Sequence, residues 1–207
     1  TDAGHVRIYN YNGSTWNQLG QDINGEAAGD NSGTSVSLSS DGNTVAIGAH
    51  QNNGNGSNSG HVRIYSYNGT SWNQLGQDID GESAGDGSGH SISLSDDGFR
   101  VAIGAFSNDG NGSGSGHVRV YQYGGDAWMQ VGEDIDGEAE DDYSGSSISL
   151  SSDGSIVAIG ANYNDVISSE ITKFLSNYDY QPVSKSIRTL FFITSDFYKE
   201  RFPKLSR

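Results

Sequence analysis

From Ser91 the chain reads Ser-Ile-Ser-Leu-Ser, with Ile92 and Leu94 alternating against serines. A short Asp-Asp-Gly-Phe turn follows, then the apolar run Arg100–Phe106, then a long Gly/Asn/Ser loop. From His117 the alternation resumes, with Val118 and Val120 set against His117, Arg119 and Tyr121. A Gly-Gly-Asp turn leads to a last run from Ala127 to Ile135. Alternation with a period of two, punctuated by Gly-containing turns, predicts four antiparallel strands. The Asp-Gly pairs suit turns that need a positive φ.

The same order recurs at a fixed interval. Gly4-His5-Val6-Arg7-Ile8-Tyr9 returns at Gly60 and at Gly116, a spacing of 56. Trp16, Trp72 and Trp128 keep that spacing, as do Asp30, Asp86 and Asp142 and the Val-Ala-Ile-Gly-Ala runs from Val45, Val101 and Val157. Four antiparallel strands per repeat predict an all-β fold of β-propeller-type blades. One blade cannot bury both faces, so stacked neighbours are expected to share the Val, Ile, Trp and Tyr side chains. The chain carries two full and two partial repeats over residues 1–162, which predicts an incomplete ring.

The pattern stops after Asn162. All 30 glycines lie at or before Gly160, and both prolines lie after it. Residues 163–207 read as a short α/β-like tail. A helical face of Ile167, Ile171, Phe174 and Leu175 has Ser168 or Ser169 as N-cap, Ser186–Thr194 reads as a strand or buried apolar run, and a short helix is capped by Ser195. Three readings of this tail stand: a cap on an exposed blade, a segment of a larger protein, or foreign sequence joined to the repeats.

Charge narrows the partners. The net charge is −15, and the 11 basic residues are outnumbered by 26 acidic ones. The repeat region alone has 4 basic and 22 acidic residues up to Asp165. Such a surface excludes nucleic acid, whose phosphates require a basic face. It suits cation binding or solubility in salt. No apolar run is long enough for a membrane-spanning helix. With no Cys, neither a disulfide nor a thiolate zinc site is available. The chain opens at Thr1 without an initiating Met, which leaves a removed leader open.

The stretch Gly29–Ala49 resembles the FG-GAP repeat family, which builds the propeller of integrin α-chains and of many surface proteins. Gly29, Asp30, Gly33, Ser35 and Val36 match the start of its motif, and Gly48 and Ala49 match its end. The second copy matches at Asp86, Gly89, Ser91, Gly104 and Ala105, and the third at Asp142, Gly145, Ser147, Gly160 and Ala161. The family Phe is replaced by Ser32, Ser88 and Ser144, and its Pro by His50, Phe106 and Asn162. The calcium loop of many family members is shortened here to turns around Asp41, Asp97 and Asp153, too few oxygens to surround Ca2+. A likeness to the hairpin of WD-repeat propellers fails on the 56-residue period and on the missing Trp-Asp pair.

The resemblance implies a non-enzymatic binding or adhesion module of a secreted or cell-surface protein, with a protein or carbohydrate ligand at the loops. The alternative is a fragment of a propeller enzyme, hydrolase-like, with catalytic residues on missing blades. No nucleophile elbow, zincin helix or phosphate loop is present, and recurrence of each motif argues for scaffold over catalysis. The remaining blades of a longer chain, or self-association through open strand edges, are the expected structural partners.

Two acidic loops are the candidate metal ligands. One holds Asp78, Asp80, Glu82 and Asp86; the other holds Asp134, Asp136, Glu138 and Asp142. Alternate oxygens with a Gly at the turn are what Ca2+ takes, so Ca2+ is the one cofactor candidate. The competing reading is a solvated loop in which Asp caps backbone N–H groups. His5, Arg7 and Tyr9, with their copies, form one strand face, either for an anionic or sugar ligand or packed between blades. Four Asn-x-Ser/Thr sequons, at Asn12, Asn55, Asn68 and Asn111, are candidate glycan sites.

Overall fold

The structure is a computed structural model and describes residues 2–164. The chain divides into two units after Asn164. The tail elements expected within residues 165–207 lie outside the described residues.

The first repeat contributes β1 (His5–Val6), β2 (Tyr9–Tyr11), β3 (Trp16–Gln18) and β4 (Ile23–Asn24). The next sheet comprises β5 (Ser35–Leu38), β6 (Thr44–Ala49), β7 (His61–Tyr67), β8 (Trp72–Gln74) and β9 (Ile79–Asp80). The third comprises β10 (Ser91–Leu94), β11 (Arg100–Ala105), β12 (His117–Tyr123), β13 (Trp128–Gln130) and β14 (Ile135–Asp136). Last come β15 (Ser144–Leu150) and β16 (Val157–Ala161). Every strand pair is antiparallel, and the two complete sheets run β5-β6-β7-β8 and β10-β11-β12-β13. No helix occurs among the described residues. These are propeller blades.

The fourth strand of each blade departs from the expectation of one continuous run. β13 pairs with β12 at Tyr121↔Gln130, and β14 pairs with the same strand at Val118↔Ile135. Two residues of β12 thus face four of the outer strand, so the ladder bulges. The bulge turns on Gly132, at φ 77°. Gly20 and Gly76 do the same in the other copies, at φ 74° and 77°. That left-handed conformation is cheap only for Gly.

The core lies at the seams between blades. One cluster joins Ile8 and Ile23 to Val45, Ile47, Tyr65 and Trp72. The next joins Ala46, Val62, Ile64 and Ile79 to Ile92, Leu94, Val101, Ile103, Tyr121 and Trp128. Val45 and Ile47 face one neighbour while Ala46 faces the other, so β6 is buried on both sides and reads as a continuous apolar run. Where a neighbouring inner strand is absent among the described residues, the same position is open. Leu38 is 49% exposed, whereas its copy Leu94 is 7% exposed.

Hydrogen bonds stitch the seams at the repeat spacing. The Ser35 hydroxyl donates to the Gly89 carbonyl and that of Ser91 to Gly145, both at 2.6 Å. The Leu94 and Leu150 amides donate to Ser37 and Ser93 Oγ at 3.0 Å. The alternating serines of β5 and β10 therefore satisfy polar groups at the inner edge of the blades, which an alternation of apolar and polar residues alone does not disclose.

Candidate ligand face and seam clusters

Strand register gathers one set of loops at one end of the blades. Ser35 pairs with Gly48, Ala49 with His61, and His61 with Asp80. The Gly/Asn loop after β6, the acidic loop after β9 and the entry to β5 therefore share that end, and the third repeat repeats the arrangement.

The acidic loop is divided among three tasks. Asp86 is buried, and its Oδ2 accepts from the Ser83 amide at 2.9 Å and from the Asn108 side chain at 3.2 Å. Asp142 accepts likewise from the Ala139 amide and the Asn164 side chain, both at 2.9 Å. Asp30, its first-repeat copy, holds Ala27 and Asn52. Each clasp ties the acidic loop to a strand end of the following blade and caps a backbone amide, which is the backbone-capping reading of these loops.

Asp78 turns the other way, because the bulge at Gly76 redirects the chain. It accepts from Gln74 Nε2 at 2.5 Å and places Oδ2 3.7 Å from His61 Nδ1. Asp134 repeats this with Gln130 at 2.6 Å and His117 at 3.7 Å. Asp136 Oδ1 stands 4.0 Å from the same His117 nitrogen. Asp80 pairs across from His61 through its backbone, and its carbonyl accepts from Arg119 at 2.8 Å.

Glu82 belongs to the next seam. It lies 3.4 Å from Arg119 and clusters with His117 and Asp134. Glu26, its copy, lies 3.3 Å from Arg63 and clusters with His61 and Asp78. The eight candidate ligands thus do not converge within their own loops. Asp78 and Asp134 meet histidines, Glu82 crosses to the following blade, and Asp86 and Asp142 are spent on clasps. Asp136, Glu138 and Asp142 also line a cleft of about 370 Å3 with Ile135 and Ile159. One repeat earlier the equivalent residues meet the start of β12, which pairs with β11 and whose Arg119 donates to the Asp80 carbonyl.

The His-Arg-Tyr face is packed between blades. His61, Arg63 and Tyr65 are buried, as are His117, Arg119 and Tyr121. Arg63 sits over the Tyr65 ring at 5.6 Å and donates to the Asn24 carbonyl at 2.9 Å. Burial holds both histidines below the ordinary imidazole range, and Asp78 and Asp134 pull only partly the other way.

The shortened turns are self-sufficient. Asp41 accepts from Ser39 Oγ at 2.7 Å and the Asn43 amide at 2.9 Å, and Asp97 does so from Ser95 and Phe99. Asp153 accepts from Ser151 Oγ and from the Ser155 amide and hydroxyl, which lower its pKa to about 2. These carboxylates cap their own turns.

The sequon asparagines also have structural partners. Asn12 and Asn68 Oδ1 cap their hairpin turns at 3.0 Å. The Asn55 and Asn111 side chains donate to carbonyls of the acidic loops. A glycan on Asn55 or Asn111 would displace those bonds.

A row of rings runs across the blades at the loop end. His50 meets His90 at 5.6 Å, His90 meets Phe106 at 4.3 Å, Phe106 meets Tyr143 at 6.1 Å, and Tyr143 meets Tyr163 at 5.3 Å. His50 and Phe106 stand at repeat-equivalent positions, as do His90 and Thr34, whose Oγ1 lies 3.1 Å from His50 Nδ1. None of the row recurs from blade to blade. Sequence reasoning passed over it, because each ring stands where its copies are not aromatic or differ in kind.

Residues 24–65 match the FG-GAP repeat family, from the acidic loop through β5 and β6 into β7. This segment is similar to an FG-GAP repeat. No curated protein matches the chain. Among solved structures, a Bacteroides uniformis protein assigned as a 6-phosphogluconolactonase is similar at 13% identity with a TM-score of 0.50. The match covers 76% of this chain and 41% of that one, so this chain spans well under half of the structure it resembles. At that identity the likeness concerns the β-propeller fold alone. In the FG-GAP frame, the positions of the motif's Phe are the buried Ser32, Ser88 and Ser144, which bridge to Gly4, Gly60 and Gly116. The positions of its Pro hold His50 and Phe106 of the aromatic row.

Proposed function

We propose that this FG-GAP propeller module is a non-enzymatic binding and adhesion element of a secreted or cell-surface protein, and that it takes a neutral carbohydrate at the aromatic row. One observation carries the reading. The seam His, Arg, Tyr and Trp recur at the repeat spacing, yet the row from His50 to Tyr163 differs in every blade. Scaffold duties are the same in each blade and keep the same residues. A ligand that spans blades meets each one differently.

The chemistry of the row favours a sugar. Half-exposed rings offer flat apolar faces to the C–H side of a pyranose. Amides border them: the Asn31 side chain donates to Gln51 Oε1 at 2.6 Å, and Asn162 is exposed beside Tyr163. Burial lowers the pKa of His50 and His90, and the neighbouring His90 further disfavours charge on His50, so neither imidazole favours its charged form. The net charge of −15 disfavours an anionic ligand.

The test is binding of the full chain to an array of neutral and anionic glycans, with F106A and H90A beside the wild type. The reading expects neutral glycans to be retained and both variants to lose them with an unchanged melting temperature. Retention of a protein ligand alone, or glycan binding indifferent to both variants, contradicts it. The enzyme alternative has no support in a specific observation of this chain.

A further inference from the structure

Between successive blades, two chemically identical clusters recur at the repeat spacing. Glu26, His61 and Asp78 form one, and Glu82, His117 and Asp134 form the other, with one donor atom from each residue within 4.8 Å of the other two. Three elements of two blades meet here. The glutamate comes from the preceding blade's acidic loop, the histidine from the start of β7 or β12, and the aspartate from the bulge.

The histidines are the second observation. His61 and His117 are 2% and 1% exposed. His117 Nδ1 faces carboxylates at 3.7 and 4.0 Å, beyond hydrogen-bond reach. His61 Nδ1 faces Asp78 at the same 3.7 Å. A buried imidazole without a partner is costly. A nitrogen and an oxygen 3.7 Å apart are too far for a hydrogen bond. They are well placed for a small ion between them, bound at roughly 2.0–2.2 Å from each.

We propose that each seam cluster is a binding site for a divalent first-row transition ion, Zn2+ being the probe of choice, which ties adjacent blades together. The donor set decides the ion. One neutral imidazole nitrogen and two carboxylates are a mixed N/O set that suits such ions, whereas Ca2+ takes six to eight oxygens. Three protein ligands leave a position for water. Charge permits it. Glu26, Asp78 and Asp80 outweigh Arg63 at the first seam, and Glu82, Asp134 and Asp136 outweigh Arg119 at the second. Each arginine approaches Oε1 of its glutamate, and a carboxylate has a second oxygen for the ion. Among the described residues two such clusters occur, one at each seam.

The experiment titrates Zn2+ into the full chain, free of any affinity tag and stripped with EDTA, by calorimetry. Co2+ absorption reports mixed N/O coordination. Wild type is expected to take two ions and to melt higher with Zn2+ but not with Ca2+. D78N and D134N are each expected to lose one ion, with affinity at the altered seam reduced about tenfold or more. H50Q/H90Q is expected to keep both. No uptake by wild type, an unchanged count in D78N and D134N, or loss in H50Q/H90Q overturns the proposal. Both single variants alter a partly exposed side chain, and circular dichroism confirms that they fold before the count is read.

Discussion

The indole N–H of Trp72 donates to the carbonyl of Leu19, in the preceding blade, at 2.7 Å. Trp128 makes the same bond to Leu75 at 2.7 Å. A glutamine of the preceding bulge, Gln21 or Gln77, exchanges hydrogen bonds with the backbone of the same tryptophan. Each blade is thus pinned to the outer edge of the one before it, and the bulge supplies both acceptor and clamp.

Trp16 tests that relationship within one molecule. It occupies the same place in its own hairpin and pairs with Tyr11 at 5.2 Å, as Trp72 pairs with Tyr67 at 5.1 Å. Yet it is 68% exposed, against 4% for Trp72 and Trp128. Truncating Trp72 or Trp128 to Ala is expected to cost about 3–5 kcal/mol. Trp16→Ala is expected to stay within about 0.5 kcal/mol of wild type. Urea denaturation of the three variants checks this, and equal losses would contradict it.

The bulge glycines separate two costs. Gly76 and Gly132 share a φ of 77°, but a Cβ on Gly76 would stand 2.9 Å from the Trp128 ring, whereas one on Gly132 meets nothing within 4 Å. Gly132→Ala is expected to pay the left-handed backbone alone, about 1–2 kcal/mol. Gly76→Ala adds overpacking at the seam, a further ~1–3 kcal/mol. Melting curves in parallel check the order.

Stability should fall as the solution is acidified below neutrality. His50, His61, His90 and His117 all have folded pKa values lowered, first by burial. The unfolded chain then takes up protons near pH 6.5 while the folded chain does not. Stability is therefore flat above that pH and declines from about 6.5 down to the folded values. For the fully buried His61 and His117 the slope is at most about 1.4 kcal/mol per pH unit each. Asp41, Asp97 and Asp153, whose pKa values are lowered, keep their charge through this window and add loss only in stronger acid. Melting temperatures from pH 8 to 5 in EDTA, with H61Q/H117Q as the flattened control, measure the effect.

Calcium is expected to leave the melting temperature unchanged. Asp86 and Asp142 hold amides, Asp78 and Asp134 face histidines, and the turn aspartates cap their own loops. Asp86→Ala is nonetheless expected to destabilise by about 1–3 kcal/mol, because it strands the Ser83 amide and the Asn108 side chain. Thermal scans with Ca2+ and with chelator, on both proteins, distinguish the two statements.

Much of the scaffold could be read from residue spacing. Alternation at Ile92 and Leu94 and the apolar run from Val101 mark strands correctly, and recurrence of His, Arg and Tyr marks a packed face. Three things were hidden. The run from Ala127 to Ile135 looks like one strand, and only the Gly held in every copy at 20, 76 and 132 signals the bulge. Glu26 and Glu82 look like members of their own acidic loops, because the blade they reach follows 35 residues later in the chain. The aromatic row leaves no periodic trace at all, since the feature that sets it apart is its failure to repeat.

We propose the non-repeating row from His50 to Tyr163 as the ligand face of a repeating scaffold. Its most direct measurement is the affinity of the full chain for a neutral glycan selected on the array, compared with F106A and Y163A. The account predicts that each variant weakens binding by about tenfold, the loss of roughly one ring contact, while melting as wild type does. Unchanged affinity in both variants, with the glycan still bound, would contradict it.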